Sequence, residues 1–157
     1  MVPFGLTEAQ FATRYRRILE KVSNSSIARI GSVLQLPVPP TVLAANVEVF
    51  MGDDGSAPSA WIYFRGENNR VDSVDPTIFP GRSMDLALDL AGLACFDDRY
   101  FDPELFPGTS IAANVTKTWL AECWWKAGGW LYTVPTILSI HDDYGDGTIV
   151  ELSRSDA

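Results

Sequence analysis

The sequence predicts an α+β domain, an antiparallel sheet of about five strands with about three helices packed on one face. Two observations carry this. Apolar residues recur with a helical period in two well-separated stretches, and with a period of two in several shorter ones. The order of elements reads α, ββ, α, α, βββ, with connections too short for repeated parallel crossovers. At 157 residues the chain makes one domain.

The first helix opens on Thr7-Glu8-Ala9-Gln10, a capping box in which Thr7 and Gln10 satisfy backbone donors reciprocally, with Leu6 and Phe11 as its hydrophobic staple. Phe11, Tyr15, Ile18, Leu19 and Val22 form its apolar face. Ser23-Asn24-Ser25-Ser26 is expected to end it, because short polar side chains compete for backbone hydrogen bonds. Residues 27–36 read as a helical turn or a strand, and Pro37-Val38-Pro39-Pro40 forces an extended connection. Leu43 to Met51 and Ala60 to Arg65 alternate as the two strands of a hairpin around a Gly52–Pro58 loop. The polar, proline-bearing stretch from Gly66 to Gly81 is a surface loop.

Ser83 is the expected N-cap of a second helix reaching about Ala94, with Leu86, Leu90 and Leu93 inward. A third runs from about Ile111 to Ala127, stopped by a left-handed Gly128-Gly129. Trp130–Val134, Ile137–His141 and Thr148–Leu152 are the remaining strands, with Asp142–Gly147 turning the chain between the last two.

The net charge of −8 gives a field that repels phosphate backbones and anionic lipid headgroups, so nucleic-acid and membrane binding are not expected. The imbalance is local: residues 1–35 carry Arg14, Arg16, Arg17, Lys21 and Arg29 against Glu8 and Glu20, and the acidic excess lies beyond them. A basic protein is the natural partner of that acidic body. The opening residues show no secretory leader and no apolar run is long enough to span a bilayer, so the cytoplasm is the expected compartment. Cys95 and Cys123 are then expected as reduced, buried thiols.

Motifs for common chemistries are missing: there is no GxGxxG, Walker A, CxxC, HExxH or GxSxG, and no cofactor is expected. His141, the single histidine, precedes Asp142 and Asp143 at a hairpin mouth, where nothing in the sequence orients its ring for catalysis. Asp142–Ile149 partly fits a calcium loop, but Tyr144 and Ser153 occupy positions that need carboxylates, so no metal site is expected.

The distinctive feature is aromatic. On a helical wheel Ala112, Val115, Trp119, Leu120, Cys123 and Ala127 share one arc, while Trp124 and Trp125 fall outside it. Two adjacent indoles cannot both face one core, so one packs beneath a loop or both serve as partner-binding anchors. Tyr100 and Phe101 stand among Asp97, Asp98, Asp102 and Glu104, a mixture suited to a basic protein surface, and Asp142 and Asp143 extend the acidic set.

Residues 96–106, 124–125 and 141–147, in a small acidic α+β chain, resemble the immunity proteins of bacterial toxin systems. That resemblance implies a cytoplasmic, non-enzymatic protein that occludes a cognate basic toxin. Two other classes stand beside it: a small hydrolase using His141 with a nearby acid or cysteine, and an assembly subunit forming a homo-oligomer through the tryptophan face.

Overall fold

A computed structural model describes residues 5–52, 58–67 and 78–154 and shows an α+β fold. Helix α1 (Glu8–Glu20) begins on the expected capping box, with Gln10 N–H donating to Thr7 Oγ1 at 3.1 Å and Thr7 N–H donating to Gln10 Oε1 at 2.9 Å. Helix α2 (Ser23–Leu34) starts almost at once, so the serine run opens a helix where a terminator was expected. Ser26, Ile30 and Val33 form its buried face. The spacing is helical, and a two-residue break at Lys21 and Val22 is enough to redirect the chain.

The sheet has the order β3-β2-β1-β4-β5, formed by β1 (Val42–Phe50), β2 (Ser59–Gly66), β3 (Ser83–Asp85), β4 (Thr136–Ile140) and β5 (Val150–Ser153). It is mixed. The pairs β1–β2, β2–β3 and β4–β5 are antiparallel, but β1 and β4 run parallel, because a long connection through α3 (Gly108–Lys126) carries the chain back to the same end.

The helix expected from Ser83 to Ala94 does not form. Its first residues pair with the free edge of β2, Phe64 N–H donating to Arg82 O at 2.8 Å and Leu86 N–H to Ala60 O at 2.9 Å. Ala87 then takes a positive φ of 52°, and a 3₁₀ turn spans Ala91–Cys95. Leu86, Leu90 and Leu93 are nonetheless buried, as expected. The Trp130–Val134 strand is likewise replaced, by a 3₁₀ turn at Gly129–Leu131. The left-handed stop after α3 is present, Gly128 having φ +90°.

Alternate residues Ala45, Val47 and Val49 of β1, Ala60, Ile62 and Phe64 of β2, and Leu138 of β4 face the core. Helix α3 packs on β4 and β5, and α1 and α2 pack on α3. No described helix covers the opposite face, which carries Asn46, Glu48 and Phe50 of β1, Trp61, Tyr63 and Arg65 of β2, and Ile137 and Ser139 of β4.

Phe11 anchors one end of the core, with ring centroids 4.8 Å from Phe96, 5.4 Å from Tyr100, 5.9 Å from Phe101 and 5.3 Å from Phe106. The aromatics of the 96–106 loop are therefore interior residues. Tyr100 and Phe101 leave the set of expected surface anchors, because burial against α1 gains more than exposure. Tyr100 Oη also accepts a 2.7 Å hydrogen bond from Leu6 N–H, tying the loop to the start of α1.

The three tryptophans of α3 have separate fates. Trp119 is buried and donates to Ser23 Oγ at 2.9 Å. Trp124 is fully buried and donates to Ser153 Oγ at 3.1 Å, so it belongs to the core and is no surface anchor. Trp125 is 41 % exposed and donates to Leu152 O at 3.0 Å. Two neighbouring indoles are accommodated because β5 offers one a side-chain acceptor and the other a backbone acceptor. Both cysteines are free, but only Cys123 is buried; Cys95 is exposed on its 3₁₀ turn.

Candidate functional site

Two acidic segments lie against the first two turns of α3. The first, Asp97–Glu104, leads directly into it. Gly108 lies so close to Tyr100 that a Cβ there would stand 2.0 Å from the Tyr100 carbonyl oxygen. The second, the turn after β4, is fastened to the following turns of the helix: Asp146 N–H donates to Asn114 Oδ1 at 2.9 Å and Gly145 N–H to Ser110 Oγ at 3.4 Å. Residues some forty positions apart in sequence thus border the same two turns of one helix.

Within the first segment, Asp97 caps a 3₁₀ turn at Asp98–Phe101 and takes a two-pronged contact from Arg99, with Nε at 3.0 Å from Oδ1 and Nη2 at 2.9 Å from Oδ2. The Arg99 guanidinium holds the Asp97 carboxyl down at about 2. Asp102 accepts from Glu104 N–H at 3.0 Å. Among the described residues Asp98, Asp102 and Glu104 are exposed and have no ion-pair partner.

In the second segment His141, Asp142 and Asp143 form a 3₁₀ turn in which Asp142 has φ +61°. Asp142 is exposed and its Oδ1 lies 3.3 Å from His141 Nε2. The side chain of Asp143 lies outside the described residues. Asp146, itself exposed, pairs with a cation already supplied by the fold: Lys117 of α3, which is 4 % exposed, donates to Asp146 Oδ1, to Thr148 Oγ1 at 2.7 Å and to Thr148 O at 3.1 Å. Among the described residues no group of three His, Cys, Asp or Glu side chains is placed to hold a metal ion, and no helix is long and apolar enough to cross a membrane.

His141 has an oriented acid after all. Its Nδ1 lies 2.8 Å from Glu48 Oε1, and its ring centroid 4.5 Å from that of Phe50. The parallel β1–β4 register, in which Val49 pairs with Ile140, brings these side chains together. An antiparallel reading of the sheet gave no sign of it. Both ring nitrogens face carboxylates, while Cys123 is buried beside Ser23, so the ring is not paired to a cysteine nucleophile there.

The uncovered sheet face also holds residues whose role the sequence did not reveal. Asn46, Glu48, Tyr63, Arg65, Arg82 and Ser83 line a polar concavity of about 660 Å³. Ser139 Oγ donates to Asn46 Oδ1 at 3.3 Å across its margin. Partial burial, and then the nearby Glu48 charge, push the Tyr63 hydroxyl above its ordinary value, so it stays a neutral donor. Strand alternation identifies Tyr63 and Arg65 as outward, but only the β3–β2 pairing brings Ser83 opposite Tyr63, with Arg82 next to it opposite Phe64. No protein-family model, curated protein or solved structure matches this chain.

Proposed function

We propose that this chain is a non-enzymatic, cytoplasmic protein-binding module of the immunity type, which inhibits a basic toxin by occupying its working surface. One observation carries the reading: two acidic segments distant in sequence are held against the first two turns of α3, and they leave Asp98, Asp102, Glu104 and Asp142 exposed. Held by a helix, such charges steer a cationic partner and lose little entropy on binding. Trp125 is the exposed member of the tryptophan pair and the one suited to contact a partner.

The test is co-expression with the protein encoded beside this chain's gene, scored by survival, followed by association kinetics of the purified pair. Rescue is expected, with an association rate that falls as salt rises and falls again when Asp98, Asp102 and Glu104 are changed to lysine. Rescue that survives the triple reversal with unaltered kinetics would place the contact elsewhere. A complete lack of rescue and binding would remove the inhibitor reading.

A further inference from the structure

Several cations of this acidic chain are engaged: Arg16 with Glu20 and Glu122, Arg29 with the Leu86 carbonyl, Arg99 with Asp97, and Lys117 with Asp146. Arg65 and Arg82 are not. Among the described residues neither side chain has an ion-pair or hydrogen-bond partner, yet both line the concavity on the uncovered sheet face. Their surroundings are polar and directional. Tyr63 and Ser83, paired across β2 and β3, bring hydroxyls to the same end. Asn46 stands opposite Tyr63 on β1, and Glu48 lies two residues further along that strand.

We infer that this concavity binds a small phosphate monoester that also carries hydroxyl groups, of the sugar-phosphate class. Two guanidiniums offer ten N–H donors in planar forks, and two hydroxyls add more, which exceeds what the two oxygens of a carboxylate accept and suits the three terminal oxygens of a phosphate. The far wall has the opposite chemistry. Glu48 gives one oxygen to His141 and keeps acceptor capacity for ligand hydroxyls. Ala44, opposite Arg65, and Glu48 are four residues apart on one strand, about 13 Å, which matches a pentose phosphate with its contacting side chains. The volume of about 660 Å³ lies in the range of small-molecule sites. This site adjoins the acidic end through Glu48, which holds His141 beside Asp142, but it does not depend on the inhibitor reading.

The experiment is isothermal titration of the intact chain at low ionic strength with ribose 5-phosphate, inorganic phosphate and citrate as probes. Saturable binding of ribose 5-phosphate is expected, weakened by about tenfold or more in an Arg65→Gln/Arg82→Gln variant and unchanged in an Arg14→Gln/Arg17→Gln control of equal charge. Glu48→Gln should weaken ribose 5-phosphate while leaving inorganic phosphate as it was. Undetectable binding, or equal losses in the helix control, would overturn the site. Citrate binding as tightly as ribose 5-phosphate would overturn the phosphate assignment, and equal affinity for inorganic phosphate would overturn the hydroxyl-binding wall. Thermal melts of each variant confirm that exposed Arg65 and Arg82 were removed without loss of fold.

Discussion

Lys117 of α3 is buried with its ammonium bound to Asp146, and the two residues together with Thr148 close the turn that leads into β5 onto the helix. A cation with three acceptors is fully satisfied, which is what permits a lysine in that position. Asp146 is held well below the ordinary carboxylate range by the Lys117 hydrogen bond first, and then by the backbone and hydroxyl of Thr148. Its native form therefore prefers the charged state more than the unfolded chain does. The stabilisation is present above the unfolded value of ~3.9 and is lost as pH falls below it. Asp97 behaves alike through Arg99, over the window from ~3.9 down to about 2. Urea denaturation of the parent and Asp146→Asn should show a gap that is widest near neutral pH and closes below pH ~4. A gap independent of pH would show that the carboxylate charge contributes nothing.

Trp124 and Trp125 separate by stability. Trp124→Ala empties a fully buried site and should cost ~3–5 kcal/mol in chemical denaturation. Trp125→Ala removes a half-exposed ring and one hydrogen bond to Leu152 O, and should cost about 1 kcal/mol. Equal losses would mean that Trp125 is as structural as its neighbour.

Glycines give a test of packing. Adding a Cβ at Gly129 brings it 2.2 Å from the Trp124 ring, and at Gly108 2.0 Å from a backbone oxygen, so Gly129→Ala and Gly108→Ala should each lose ~2 kcal/mol or more. Gly31, inside α2 with nothing within 4 Å of such a Cβ, should respond in the opposite direction. Gly31→Ala is expected to raise stability by ~0.5–1 kcal/mol through helix propensity, measurable as a higher denaturation midpoint.

Catalysis is tested at His141. Glu48 orients its ring, but on the inhibitor reading the ring does no chemistry, and His141→Ala is expected to leave rescue of a toxin-expressing cell within a factor of a few of the parent. A drop of several orders of magnitude with the fold intact would favour a hydrolase built on the Glu48–His141 pair.

The sequence was informative where a local signal determines the outcome. The Thr7–Gln10 box, the period of α1, the left-handed Gly128 and the inward alternation of β1 and β2 all form as read. Expectation and structure part where a distant partner decides. Leu86, Leu90 and Leu93 behind Ser83 have a spacing compatible with a helix, but the exposed edge of β2 recruits residues 83–85 as a strand. Trp124 reads as off the core arc of α3 until β5 supplies Ser153 as its acceptor. The aromatics of residues 96–106 suggest a sticky surface only while Phe11, some ninety residues earlier, is left out. The acidic residues were legible as acidic. That two such segments share one end of α3 depends on tertiary anchoring through Asn114 and Ser110, which no spacing encodes.

The parallel pairing of β1 with β4 has a kinetic consequence. It joins residue 45 to residue 136 and residue 49 to residue 140, so the centre of the sheet closes a loop of about ninety residues. The hairpin of β1 and β2 can assemble early, but it exposes an unpaired edge until α3 has docked and delivered β4. A chain emerging from the ribosome therefore carries that open edge until nearly its whole length is available. Folding of the sheet is a late, non-local and comparatively slow event, and the interval before it is when the protein is most exposed to intermolecular strand pairing.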